Sequence, residues 1–152
     1  MNDFLKSRST LFWIEAASVL LAVVGAVFFG LSYTTGYNQI VYGENNSIAI
    51  TVLLAFAVLI PCAAAVSECL RAPKAGEICD LAAVAASVLF LLCLVLLLAD
   101  RVDAIGNCIV APWDAGHGGE DSCYLAFVST GCWLAASVAS IVGSFIGFRA
   151  KK

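Results

Sequence analysis

Histidine occurs once, at His117, charged residues make up only 12% of the chain, and no two cysteines form a CxxC pair. Each scarcity excludes a class of function. One histidine cannot build a multi-His catalytic zinc site. A chain with no basic tract and no nucleic-acid motif does not bind nucleic acid. Without CxxC there is no dithiol at the membrane surface to hand electrons to a quinone. The shortage of charge also excludes a soluble fold. Soluble domains carry about 25% charged and about 45–50% apolar residues, whereas this chain of 152 residues is 62% hydrophobic. A single domain of this size cannot hide that much apolar surface, so the remainder faces lipid.

What is present is four apolar runs, each near the roughly 20 residues that a spanning helix needs. They cover about 11–33, 48–67, 81–99 and 124–148. Gly, Pro, Asn and charged residues mark the connections 34–47, 68–80 and 100–123. Lys6 and Arg8 precede the first run, which is too long for a signal-peptide core and lacks a small-residue cleavage site, so it reads as an uncleaved anchor. The expected fold is all-α: one transmembrane four-helix bundle over residues 1–152.

Positive residues in short loops stay in the cytoplasm. Seven of the eight Lys and Arg (Lys6, Arg8, Arg71, Lys74, Arg149, Lys151 and Lys152) fall on one side of the four spans, and only Arg101 falls on the other. Both termini are therefore expected inside the cell, N-in/C-in. The outer loops hold Glu44, Asp100, Asp103, Asp114, Glu120 and Asp121 against that one Arg, a net charge of about −5. Phe12 and Trp13 lie at the inner border, and Tyr33, Tyr37, Tyr42 and Tyr124 near the outer one, where amphipathic rings are favoured.

Helices in lipid associate through small residues that let backbones approach. Span four carries Gly131, Ala135, Ala139, Gly143 and Gly147 at four-residue spacing, and span one carries Ser18, Ala22, Ala26 and Gly30. These two ladders are expected to pack spans one and four together, or to form the seam of a homodimer. Phe90 to Leu98 is bulky all round and is expected to face lipid. Pro61 lies inside span two, where it removes a backbone donor, frees the carbonyl of Ala57 and bends the helix.

Of seven cysteines, Cys62, Cys93 and Cys132 lie within spans and read as small hydrophobes. Cys69 and Cys79 flank the cytoplasmic loop, where they stay reduced. Cys108 and Cys123 share the second outer loop, and a structural disulfide between them is expected to stabilise by about 3 kcal/mol. Four-span quinone-linked disulfide oxidoreductases share the topology, but they require the CxxC pair that is missing here. Glu15 is the one acid clearly inside a span. Intramembrane acids are functional candidates by default, and its shallow depth favours an interfacial pair with Arg149 or Arg71. The loop Asp114 to Asp121, with His117, could offer ligands to a divalent metal, but a solvated glycine-rich turn explains it better.

The third span ends in Asp100-Arg101-Val102-Asp103-Ala104-Ile105. With the basic start and the order of spans, this resembles small four-span membrane proteins of Gram-positive bacteria, which have a similar Arg-hydrophobic-x-x-Ile stretch after the third span. The resemblance implies a bacterial plasma membrane and supplies no catalytic residue. No catalytic group, metal or cofactor is assigned. The reading favoured is a non-enzymatic accessory or scaffold protein that binds another membrane protein or itself within the lipid bilayer. An oligomeric channel or small-solute carrier is the alternative, and a thiol-disulfide oxidoreductase stands behind both.

Overall fold

A computed structural model describes residues 10–35, 46–70, 74–110 and 119–146. They form four helices: α1 (Thr10–Thr34), α2 (Ser47–Cys69), α3 (Ala75–Val110) and α4 (Gly119–Ile146). All four are long and apolar enough to cross a membrane, where a backbone must satisfy its own hydrogen bonds and a helix does so within one segment. The expected all-α bundle of a multi-pass membrane protein is found.

Successive neighbours run antiparallel. α1 packs along α4, α4 along α3 and α3 along α2, while α1 and α2 touch much less. The bundle is thus closed on three seams and loose on the fourth. Glu15, the end of α2 and the start of α3 share one end of the bundle, and Asp100 marks the other.

The buried positions explain the packing. On α1 they are Ser18, Ala22, Gly25, Phe29 and Ser32, and on α4 Ser122, Ala126, Ser129, Trp133, Ala136, Ser140 and Gly143 form the main stripe, with Cys123, Thr130 and Ser137 beside it. On α2 they are Ile50, Leu54, Ala57, Pro61 and Ala64, and α3 repeats the pattern from Cys79 through Ala83, Ala86, Phe90, Cys93 and Leu97 to Asp100. Steps of four and three alternate on every helix. A period of 3.5 keeps one face on a partner through a left-handed supercoil. The inward face mixes Ala, Ser and Cys with a few large residues such as Phe29, Phe90 and Trp133, and Leu20, Val27, Val95 and Val138 are among the bulky residues left outside. That is the reverse of a soluble bundle, because lipid removes the cost of apolar exposure.

This geometry corrects the ladders. Residues four apart are turned by about 40° on a helix of 3.6 residues per turn, so five in a row sweep about 160°. Gly131 and Ala135 are accordingly exposed, Ala139 is half-buried and Gly143 is buried. A side-chain carbon built on Gly131 or on Gly30 meets nothing within 4 Å. On α1, Ser18 and Ala22 are fully buried and Ala26 packs against the core. Gly147 lies outside the described residues. The close approach of α1 and α4 falls instead at Gly25, where an added Cβ would stand 2.6 Å from Nε1 and 2.7 Å from Cδ1 of Trp133.

Three α1 carbonyls accept hydrogen bonds from α4 side chains: Gly25 from Ser129 Oγ at 2.9 Å, Ser32 from Ser122 Oγ at 2.6 Å and Ala22 from Trp133 Nε1 at 3.4 Å. Interhelical bonds of this kind contribute about 0.6 kcal/mol each on average in a membrane. The Trp133 ring lies 5.6 Å from the ring of Phe29, and both belong to the main core with Phe90 and Leu97.

The expectation that Phe90 to Leu98 faces lipid all round is corrected. Phe90, Cys93 and Leu97 are fully buried, so the stretch 90–98 turns only Leu91, Leu92, Val95 and Leu98 outward. The helix also continues past residue 99 to Val110. Its 36 residues span about 54 Å at 1.5 Å per residue, more than the roughly 30 Å hydrocarbon core. Cys108 therefore sits on a helix rather than on a pliable loop. The Cys108–Cys123 disulfide is not supported, since no two cysteines stand at bonding distance among the described residues. Cys123 is buried on the first turns of α4.

Candidate functional site

The core is unevenly filled. Phe29, Phe90 and Trp133 occupy the middle and the Asp100 end, while the Glu15 end holds a small separate cluster of Ala64, Cys79 and Ala82. Five alanines, Ala16, Ala64, Ala65, Ala82 and Ala83, line a cavity of about 360 Å³ there, walled by α1, α2 and α3. It lies where α1 and α2 fail to close on each other. Exposed Leu20 and Cys62 stand at its rim. Pro61, within the helical run of α2, is buried and forms part of the wall.

Two carboxylates interrupt the apolar lining, Glu15 from α1 and Glu68 from α2. Glu15 is half-buried. Its Oε2 accepts a hydrogen bond from Ser140 Oγ of α4 at 3.2 Å, and its Oε1 is buried with no hydrogen-bond partner among the described residues. The expected partners Arg71 and Arg149 lie outside the described residues. Among the described residues no group of three His, Cys, Asp or Glu could hold a metal ion, and Asp114 and His117 lie outside that set. The thiol of Cys79 donates to the carbonyl of Ala64 at 3.6 Å and ties α3 to α2 behind the cavity.

The opposite end is built around the charged pair that closes the third apolar run. Asp100 accepts three hydrogen bonds: from Tyr33 Oη at 2.9 Å, from Asn46 N at 3.1 Å and from Asn46 Nδ2 at 2.7 Å. Arg101 is buried, donates from Nη2 to Ser32 Oγ at 3.3 Å and lies 4.2 Å from the centre of the Tyr33 ring. Hydropathy placed both residues in a loop. In the structure they join α3 to the end of α1 and the start of α2, so the network clamps one end of the bundle and leaves the loose α1–α2 seam at the other. The alanine pairs 64–65 and 82–83 are the sequence signal for the cavity, but they announce it only once the facing positions are known.

The class defined by these features is a multi-pass, all-α four-helix membrane protein with a lateral cavity at one end and a polar clamp at the other. No protein-family model, curated protein or solved structure matches the chain.

Proposed function

We propose that the chain acts by binding rather than by catalysis, as a small carrier or accessory protein that holds a bilayer-soluble guest between α1 and α2. The observation that carries this reading is the cavity of about 360 Å³ on the loosest seam of the bundle. Pockets that bury small ligands have volumes of about 300–1,000 Å³ with mostly apolar walls and a few polar groups. Native mass spectrometry of protein taken from its own membrane tests the reading. The parent should carry an adduct of small-molecule mass, and Ala83→Trp, which fills the cavity, should lose it while staying folded. An adduct retained in full by Ala83→Trp would place the guest elsewhere.

A second reading, a scaffold subunit that binds another membrane protein or a second copy, is favoured by a different observation. Gly131 and Ala135 are exposed, and nothing stands within 4 Å of an added Cβ at Gly131. Small residues open to lipid admit a partner backbone.

The membrane is read as a bacterial plasma membrane with both termini in the cytoplasm. The seven Lys and Arg on one side of the spans support the orientation, and the resemblance of the Asp100-to-Ile105 stretch supports the membrane. A cytoplasm-dependent reporter fused after Lys152 should be active, and the same reporter within Gly116–Gly119 should be silent. Activity at the glycine loop would overturn the orientation.

A further inference from the structure

We infer that the cavity seats one acyl chain of a bilayer lipid, lying lengthwise between α1 and α2 with its headgroup outside at the Glu15 end. This rests on the reading of the cavity as a binding site and adds the chemical class of what it binds. The lining is almost wholly apolar and comes from α1, α2 and α3 alone. Glu15 and Glu68 belong to the wall, but their carboxylates are already engaged. That of Glu15 accepts the bond from Ser140 of α4, a helix that takes no part in the lining, and Glu68 has a partner of its own. Pockets for polar ligands fix them with a few placed polar groups. With none on offer here, the guest is recognised by its hydrocarbon surface and its shape.

The shape is that of a chain rather than of a compact molecule. Phe12, Ala16, Val19 and Leu20 line two turns of α1, and Pro61, Ala65 and Glu68 two turns of α2, since residues three and four apart share a helix face. The slot therefore runs along the helices. From Phe12 to Leu20 it covers about 12 Å at 1.5 Å per residue. One leaflet of a hydrocarbon core of about 30 Å is about 15 Å deep, so the slot has nearly the depth of a leaflet. Phe12 and Glu68 stand at the ends of the spans Phe12–Thr34 and Ser47–Cys69. The slot thus begins at the membrane border, where a headgroup stays and a chain descends. Its volume of about 360 Å³ is more than twice the roughly 150 Å³ in which an apolar cavity takes up benzene. The loose α1–α2 seam admits a tail sideways past Leu20 and Cys62 while the headgroup remains in water. Left empty, the walls would forgo dispersion contacts along their whole length.

The test uses full-length protein in phosphatidylcholine vesicles with a trace of phosphatidylcholine that carries a photoreactive diazirine midway along one acyl chain. Labelled residues are mapped by mass spectrometry after illumination. In the parent, Val19 on the cavity wall should be labelled, as should outward-facing Val138 of α4. Ala83→Trp should lose the label at Val19 and keep it at Val138. Should Ala83→Trp fail to fold, Ala65→Phe, at a half-buried position of the same wall, takes its place. The native adduct of the parent should have the mass of an acyl-chain lipid. If Val19 is unlabelled in the parent, or labelled equally in the filled variant, while that variant still loses the native adduct, the acyl assignment is overturned and the cavity stands as the site of another guest. If the filled variant also keeps its native adduct, both readings fall together.

Discussion

Gly25→Ala should melt earlier in detergent than the parent by the equivalent of about 1–3 kcal/mol, the usual cost of overpacking a filled core. One methyl group has this effect because of what surrounds it. Its carbon would lie 2.6 Å from Trp133 Nε1 and 3.1 Å from Cys132 Cβ, so something must move. The indole is poorly placed to yield: it is fully buried, its N–H donates to the carbonyl of Ala22, and its ring packs on Phe29. The remaining relief is to part α1 from α4, which strains the bond from Ser129 Oγ to the Gly25 carbonyl at the same level. Insertion should be unaffected, since alanine is no less apolar than glycine. Gly131→Leu is the matched control, as its new side chain points into open space. It should leave the melting temperature of the chain unchanged, and if the exposed face is a subunit seam it should dissociate the assembly. Equal melting of Gly25→Ala and parent would remove the close approach from the packing scheme.

The second large effect is expected at Asp100→Ala. The substitution strands three donors, Tyr33 Oη and both nitrogens of Asn46, and deletes the negative charge beside the buried Arg101. Removing a charged acceptor from part-buried hydrogen bonds costs about 1–3 kcal/mol. The loss should be local before it is global. Asn46 precedes α2, and its carbonyl accepts the bond from Ile50 N at 2.8 Å, so hydrogen exchange should quicken first at the start of α2 and the end of α1. Asp100→Asn keeps one acceptor oxygen and should fall between parent and Ala. An Asp100→Ala protein with unchanged melting and unchanged exchange at Ile50 would show that the clamp contributes nothing to stability. Because the clamp holds α1 and α2 together at the end remote from the cavity, its loss should also widen their seam.

The extent to which the sequence could be read differs from element to element. The apolar runs 11–33 and 48–67 match α1 and α2 within two residues at each end, because a run of apolar residues of bilayer length admits one backbone solution. The third apolar run stops at 99 while its helix goes on to Val110, since hydropathy treats Asp100 and Arg101 as residues that must meet water. A charge can stay in a helix at the membrane border when Tyr33, Asn46 and Ser32 receive it, and those residues are far away in the chain. Glu15 was recognised as unusual from its position alone. That its Oε2 is bonded to Ser140 and that its Oε1 lies buried without a partner among the described residues depends on the packing around it.

By itself, the sequence determined the number of helices, their type and their apolar surfaces, because those follow from local composition and the demand that lipid makes on the backbone. Tertiary structure alone decided which face of each helix turns inward. A soluble helix announces that face by a contrast between apolar and polar residues, but here Leu and Val serve outside as well as Ser and Ala serve inside. The choice passed to shape: to the fit of Trp133 over Gly25, to the alternating steps of four and three that a left-handed bundle allows, and to the alanines of α1, α2 and α3 that leave a cavity where no larger side chain reaches across.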